Sequence, residues 1–168
     1  MKTEKSRGEG FFVAEETLPY KPRGELIGQM TDESCVAAVC RILLQQFGED
    51  EPEAYLRNAL SVDRLGAFLS RVPDVIENYQ LSVTYIYRND LTLEELKAAT
   101  QKGFAAVNVG FVERGFHSLV IEGFEEEFVL IRDPLPPVRG SAYKVRLEIF
   151  IAAWLSEDTQ RGIGVVII

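Results

Sequence analysis

The most apolar helical pattern runs from Cys35 to Phe47. Val36, Ala37, Ala38, Val39, Cys40, Ile42, Leu43, Leu44 and Phe47 cover nearly its whole circumference. A helix that is apolar all round lies buried in the centre of its domain. Thr31, Asp32 and Ser34 offer N-cap side chains, and Gly48 offers a stop. Upstream, residues 1–10 are charged, contain glycine and show no periodicity, the pattern of a disordered arm. Phe11 to Ala14 is expected to form a short strand. Leu18 to Gly28, with Pro19, Pro22, Gly24 and Gly28, reads as an extended loop. Downstream, Glu51-Pro52-Glu53 opens a second short helix, with an early proline and acids in the first turn. Ser61 is expected to cap a third, with Leu65, Phe68 and Leu69 on one side.

The period changes after Tyr79. Leu81 to Arg88 alternates and is rich in β-formers. Thr92-Leu-Glu-Glu95 is a capping-box pattern that predicts a short helix over Leu93–Lys102. Phe104–Phe111, Gly115–Gly123 and Glu127–Asp133 read as strands, followed by the loop Pro134-Leu-Pro136-Pro137. Val145 to Leu155 reads as a helix and Gly164 to Ile168 as a last strand. A helical N-terminal half followed by an antiparallel sheet with helices on it is an α+β domain. The division expected is an N-terminal arm over residues 1–25 and one folded domain over 26–168.

Composition narrows the function classes. A chain of 168 residues with 46% apolar side chains is long enough for one domain with a hydrophobic core. The polar N-terminus leads into no stretch of signal-peptide length. No segment approaches the roughly 20 apolar residues that span a bilayer, so no membrane insertion is expected. These features point to the cytoplasm, with a secreted effector as the other reading. Net charge is −8 with no basic stripe, which argues against nucleic acid as a partner. Cys35 and Cys40, five positions apart on one helix, would have Cα atoms about 8 Å apart and about 140° round the axis. A disulfide needs less than about 7 Å, so both thiols should be free. Two cysteines and one histidine do not match a zinc spacing, and no metal or cofactor is expected.

The remaining chemistry sits in two distant segments, Gln29-Met-Thr-Asp-Glu-Ser-Cys35 and His117 to Asp133-Pro134. The first puts a thiol at the head of the buried helix with an amide six residues upstream. The second holds the chain's only histidine and an aspartate on two arms of one hairpin. With the turn centred on Glu125, His117 and Asp133 would be directly opposed, their Cβ atoms about 5 Å apart. The imidazole could then give one N–H to the carboxylate and present its other nitrogen outward. Thiol, imidazole, orienting carboxylate and oxyanion donor are the parts of a cysteine nucleophile site. Taken singly each residue has a plainer reading: a lone histidine is usually structural, Asp-Pro usually starts a turn, and a buried cysteine such as Cys40 is usually inert. Cys35 differs by its place at a helix N-terminus, where the dipole lowers a thiol pKa, although Asp32 and Glu33 oppose that effect. Gln29 by itself is a weak signal, and Glu113 and Arg114 read as solvated loop residues.

Together these residues resemble the papain-like cysteine peptidases, specifically the C39 peptidase group. The similarity lies in Gln29 six residues before Cys35 and in His117 at a strand start sixteen residues before Asp133-Pro134. Tyr143-Lys-Val145 with Phe150 and Trp154, then Gly162-Ile-Gly-Val-Val166, is similar to the family's closing helix and strand. The resemblance implies a papain-like fold with a buried nucleophile helix packed on an antiparallel sheet. It also implies Cys35 as nucleophile, His117 as general base and acid, Asp133 as its orienting partner and Gln29 in the oxyanion hole. The chain departs from the family at Ser34, where an acid is usual, and at Val36, where glycine is usual; Val36 is expected to add bulk where substrate passes. The expected function is a cysteine peptidase acting on a peptide or protein substrate through a thioester. A papain-fold glutamine deamidase or acyltransferase uses the same triad, and a non-catalytic peptide-binding domain shares the fold.

Overall fold

The computed structural model describes residues 10–111 and 115–168. The expectations for residues 1–9, and for Glu113 and Arg114, lie outside the described residues. Helix α1 spans Cys35–Gln45, with Val36 to Cys40 and Ile42 to Leu44 all buried. It ends where Gly48 adopts φ +80°, the left-handed conformation that closes helices. Helices α2 (Glu53–Ala59) and α3 (Val72–Glu77) pack on α1 and add Leu56, Leu60, Val72, Val75 and Ile76 to one core. Truncating a fully buried leucine here, such as Leu43, would cost about 2–5 kcal/mol.

Six strands follow: β1 (Tyr85–Leu91), β2 (Ala105–Phe111), β3 (Gly115–Glu125), β4 (Phe128–Asp133), β5 (Ser141–Arg146) and β6 (Gly162–Ile167). All pairings are antiparallel, in the order β1-β6-β2-β3-β4-β5. Helix α4 (Leu93–Thr100) begins with both bonds of the Thr92–Glu95 capping box. Helix α5 (Leu147–Trp154) follows β5 directly. The sheet separates two cores. Val120, Ala106, Val165 and Ile167 meet α1, while Leu119, Ile121, Val129, Ile131 and Val107 lie in a second core with Leu96, Phe150 and Trp154 from α4 and α5. Burial on both faces explains why the central strands read as nearly continuous apolar runs.

Three elements depart from expectation. Residues 61–68 form no helix: Ser61 has φ +57°, and Asp63 Oδ1 accepts the Leu65 N–H at 2.8 Å in a local turn that competes with helix. Leu65 and Phe68 consequently stand 89% and 68% exposed. Phe11 to Ala14 is not a strand, and a single 3₁₀ turn covers Ala14–Glu16. Ser141–Arg146 is a strand whose pattern merges with that of α5, so only the helix is legible. Among the described residues no helix is long and apolar enough to cross a membrane.

Candidate active site

His117 and Asp133 are brought together, by a register other than the one expected. The β3–β4 turn lies at Glu126-Glu127, with Glu125 opposite Phe128, Phe124 opposite Val129 and Gly123 opposite Leu130. Continued unbroken, that ladder would set Asp133 opposite Val120, on the α1 face. Instead Glu122 is an extra residue, a β-bulge, after which Ile121 pairs with Ile131 and Val120 with Arg132. The shift of one changes parity. Extended one step, the inner register sets Asp133 beside Leu119, on the face of His117 and diagonal to it. Diagonal neighbours are within reach of a long side chain, and His117 Nε2 lies 2.7 Å from Asp133 Oδ1.

Buried charge holds the bulge. The Glu122 carboxylate, 2% exposed, accepts the Arg23 backbone N–H at 3.1 Å and faces Arg132 Nη1 at 3.4 Å. Arg132, 1% exposed, also donates to the carbonyls of Arg23 and Glu25. A buried pair without these added bonds would be costly. The signal in the sequence was an isolated acid in Val-Ile-Glu122-Gly and an isolated base in Leu-Ile-Arg132-Asp.

The Asp133 carboxylate is 1% exposed and fully engaged. Oδ1 accepts from His117 and from the Leu135 N–H at 2.9 Å; Oδ2 accepts the Phe11 N–H at 2.8 Å and the Tyr143 hydroxyl at 2.5 Å. Burial pushes its pKa up, but the charge and hydrogen bond of His117 and the other donors hold it below the usual carboxylate value. The Tyr143 hydroxyl is pushed well above its ordinary value by burial and by Asp133, so it remains a donor.

Cys35 opens α1 and is half-buried. Ser34 occupies the N-cap position, but its Oγ turns back to the Thr31 backbone, accepting from N–H at 3.0 Å and donating to C=O at 3.1 Å. Among the described residues no side chain caps the helix, which corrects the expected cap. Burial raises the Cys35 thiol. Hydrogen bonding and charge from His117, with hydrogen bonds from the Ser118 backbone and side chain, outweigh burial and lower its pKa. His117 in turn is pushed up to about 10: burial opposes its charge, while Asp133 and then Cys35 favour it. The arrangement favours a thiolate–imidazolium pair. With Nε2 committed to Asp133, Nδ1 is the ring nitrogen left for the thiol. Ser118 Oγ also lies 2.5 Å from Asn108 Oδ1; its one proton serves either neighbour.

Gln29 is 3% exposed and is tied to the loop after Asp133. Its N–H donates to the Pro134 carbonyl and its carbonyl accepts from Val138, both at 2.9 Å. The two segments cross so closely that a Cβ on Gly28 would lie 2.5 Å from Gly140 N, which only glycine avoids. Gln29 Nε2 donates to the carbonyls of Thr31 at 2.8 Å and Asp32 at 3.3 Å, and its Oε1 has no hydrogen-bond partner among the described residues. Val36 is 3% exposed and packed in the core beside α2 and α3, so its bulk is turned inward and not outward as the expectation of a substrate contact requires. The sequence offers none of Phe11, Tyr143 and Ser118 as a site residue: Phe11 reads there as the start of a short strand, Tyr143 as part of the closing segment of the family resemblance, and Ser118 as an ordinary strand residue.

The profile of the Peptidase C39 family matches residues 23–157, most of the chain. The chain belongs to the Peptidase C39 family. No curated protein matches it. Its fold is similar to the peptidase domain of Streptococcus ComA, a bi-functional ABC transporter of a quorum-sensing pathway, at 20% identity and TM-score 0.66, covering 86% of this chain and 98% of that one. It is similar to a double-glycine-motif protease from an AMS/PCAT transporter, solved with its leader peptide, at 22% identity and TM-score 0.67, covering 86% and 91%. A C39-like peptidase from Bacillus anthracis matches at 17% identity and TM-score 0.65, covering 85% and 93%. At these identities the likeness is one of fold, and that fold is papain-like.

Proposed function

We propose that this C39 family member is a cysteine peptidase in which Cys35, His117 and Asp133 act as a triad. The observation that carries the reading is the buried 2.7 Å bond from His117 Nε2 to Asp133, made by the ring whose charge and hydrogen bonding lower the Cys35 thiol. In this mechanism the Cys35 thiolate attacks the peptide carbonyl carbon and a C–S bond forms. The imidazolium Nδ1–H gives its proton to the departing amine as the C–N bond breaks, leaving a thioester. Water, losing its proton to Nδ1, then attacks the thioester; the new acid leaves and Sγ is regained. Asp133 stays ionised and holds the ring. The uncapped Cys35 N–H at the start of α1 is one donor to the developing oxyanion. Gln29 supplies the second by giving up the longer of its amide bonds, that to Asp32. No step calls on a metal or cofactor.

A peptide substrate suits the family, and one structural relative is seen with its leader peptide. The test is a mixed peptide pool incubated with wild type and with Cys35→Ala, followed by mass spectrometry and an ammonia assay. New chain termini in wild type only are the expected result. Ammonia release without cleavage would assign the chain to the deamidases, and peptide retained unchanged by both proteins would make it a binding domain.

A further inference from the structure

The aspartate that faces His117 takes three of its four hydrogen bonds from outside the β3–β4 hairpin, and one comes from a segment that precedes the family match at residue 23. Phe11 donates its backbone N–H to Asp133 Oδ2 at 2.8 Å. Its ring lies nearly parallel to the His117 imidazole, 12° between planes and 5.8 Å between centroids. Phe12, fully buried, anchors the segment in the second core and meets Tyr143 edge-on at 6.2 Å. Tyr143 brings its hydroxyl to the same Oδ2. Gly10 completes the enclosure: a Cβ there would lie 2.8 Å from Asp133 Oδ2 and 3.0 Å from the Tyr143 ring. Any larger residue must therefore displace the carboxylate, the tyrosine or the arm.

We propose that Gly10–Phe12 is a positioning element of the active site, which fixes the Asp133 carboxylate from behind and walls off one face of the His117 ring. The inference rests on the peptidase reading above, in which Asp133 orients His117. A carboxylate rotates about its terminal torsion, and bonds to Oδ2 add to the Leu135 N–H in keeping Oδ1 toward the imidazole. Two short bonds to Oδ2 stop that rotation, and a parallel aromatic ring restricts tilting of the imidazole. The segment thereby adds to the domain something its strands do not supply. Removing or displacing it would leave Cys35 and His117 present and poorly aligned.

His117 is the only histidine, so its ring protons can be followed by NMR against pH without ambiguity. The experiment compares full-length wild type, Gly10→Ala, Phe11→Ala, Tyr143→Phe and Cys35→Ala, with thermal melting and peptide turnover measured on each. In Gly10→Ala and Phe11→Ala the His117 midpoint should fall by roughly one pH unit or more, a tenfold or larger loss of imidazolium stabilisation. Turnover should fall with it, through kcat more than KM. Tyr143→Phe, which removes one Oδ2 bond and leaves the arm in place, should move the midpoint in the same direction by less. Should Phe11→Ala fail to fold, Gly10→Ala carries the test alone. Variants that melt earlier but keep the wild-type midpoint and kcat would overturn the proposal and make the arm a structural prop. A wild-type His117 that titrates near 6.5 and is unmoved by Cys35→Ala would remove the peptidase reading, and this inference with it. A raised wild-type midpoint unchanged by the arm variants would remove this inference alone.

Discussion

Cys35 and Cys40 lie on one helix, five residues apart, and the structure makes opposite things of them. Cys40 is fully buried among α1–α3, and burial alone pushes its thiol up to about 12. Cys35 also suffers burial, yet its thiol is lowered, because His117 and Ser118 face it across the end of β3. In the proposed triad the Cys35 thiol is made a nucleophile by a partner whose charge is held by a third group, and that third group is placed by the bulge at Glu122, far along the chain from the helix. Reactivity is thus a property of the tertiary arrangement that the helix start merely admits.

The comparison breaks most completely at the partner. His117→Ala should lower turnover about 10³-fold or more, within the range general acid–base catalysis supplies. Asp133→Asn should cost less, about 10²-fold, because Nδ1 still meets the thiol while the ring loses its fixed orientation. Steady-state kinetics on one peptide substrate checks both, and the reverse ranking would mean that the carboxylate does more than orient. Cys40→Ala should leave turnover unchanged and cost roughly 1 kcal/mol of stability, the ordinary loss from trimming a buried side chain; denaturant unfolding reads the second and kinetics the first. Ser118→Ala is the finest adjustment. Removing one of several groups that favour the thiolate should raise the Cys35 titration midpoint by roughly half a pH unit, and no movement would assign the Ser118 hydroxyl wholly to Asn108.

Much of the architecture was legible before any coordinates. The all-round apolar pattern of Cys35–Gln45 fixed the central helix, and the Thr92–Glu95 box fixed the start of α4. The candidate residues were legible because they are rare: one histidine, one thiol at a helix start, one aspartate before a proline. Their geometry was less so. Direct opposition of His117 and Asp133 was expected from a turn centred on Glu125, whereas contact arises diagonally through the Glu122 bulge. That bulge depends on Arg23 and Arg132, and Arg23 comes from a segment distant in sequence, so no local pattern announces it. The arm was misread for a similar reason. Phe11-Phe-Val-Ala14 suggests a strand, but the Phe11 backbone N–H finds a buried carboxylate in place of a ladder. Residues 61–68 failed in the opposite sense, since helical spacing of apolar residues lost to the local turn chemistry of Asp63 and Gly66.

The central claim is that His117 makes Cys35 a thiolate where Cys40 cannot be one. The measurement that tests it most directly is the rate of Cys35 alkylation by iodoacetamide against pH, in the Cys40→Ala background, with and without His117→Ala. Because the Cys35 thiol is lowered in the folded protein, its thiolate should persist to a lower pH than an ordinary thiol allows and disappear only as the pH falls through that lowered value. In His117→Ala the profile should move up, the reactive form returning only as the pH rises past an ordinary thiol value of about 8.5. Two profiles that coincide, both with midpoints near or above that value, would contradict the account: Cys35 would then be, like Cys40, a cysteine of the fold and no more.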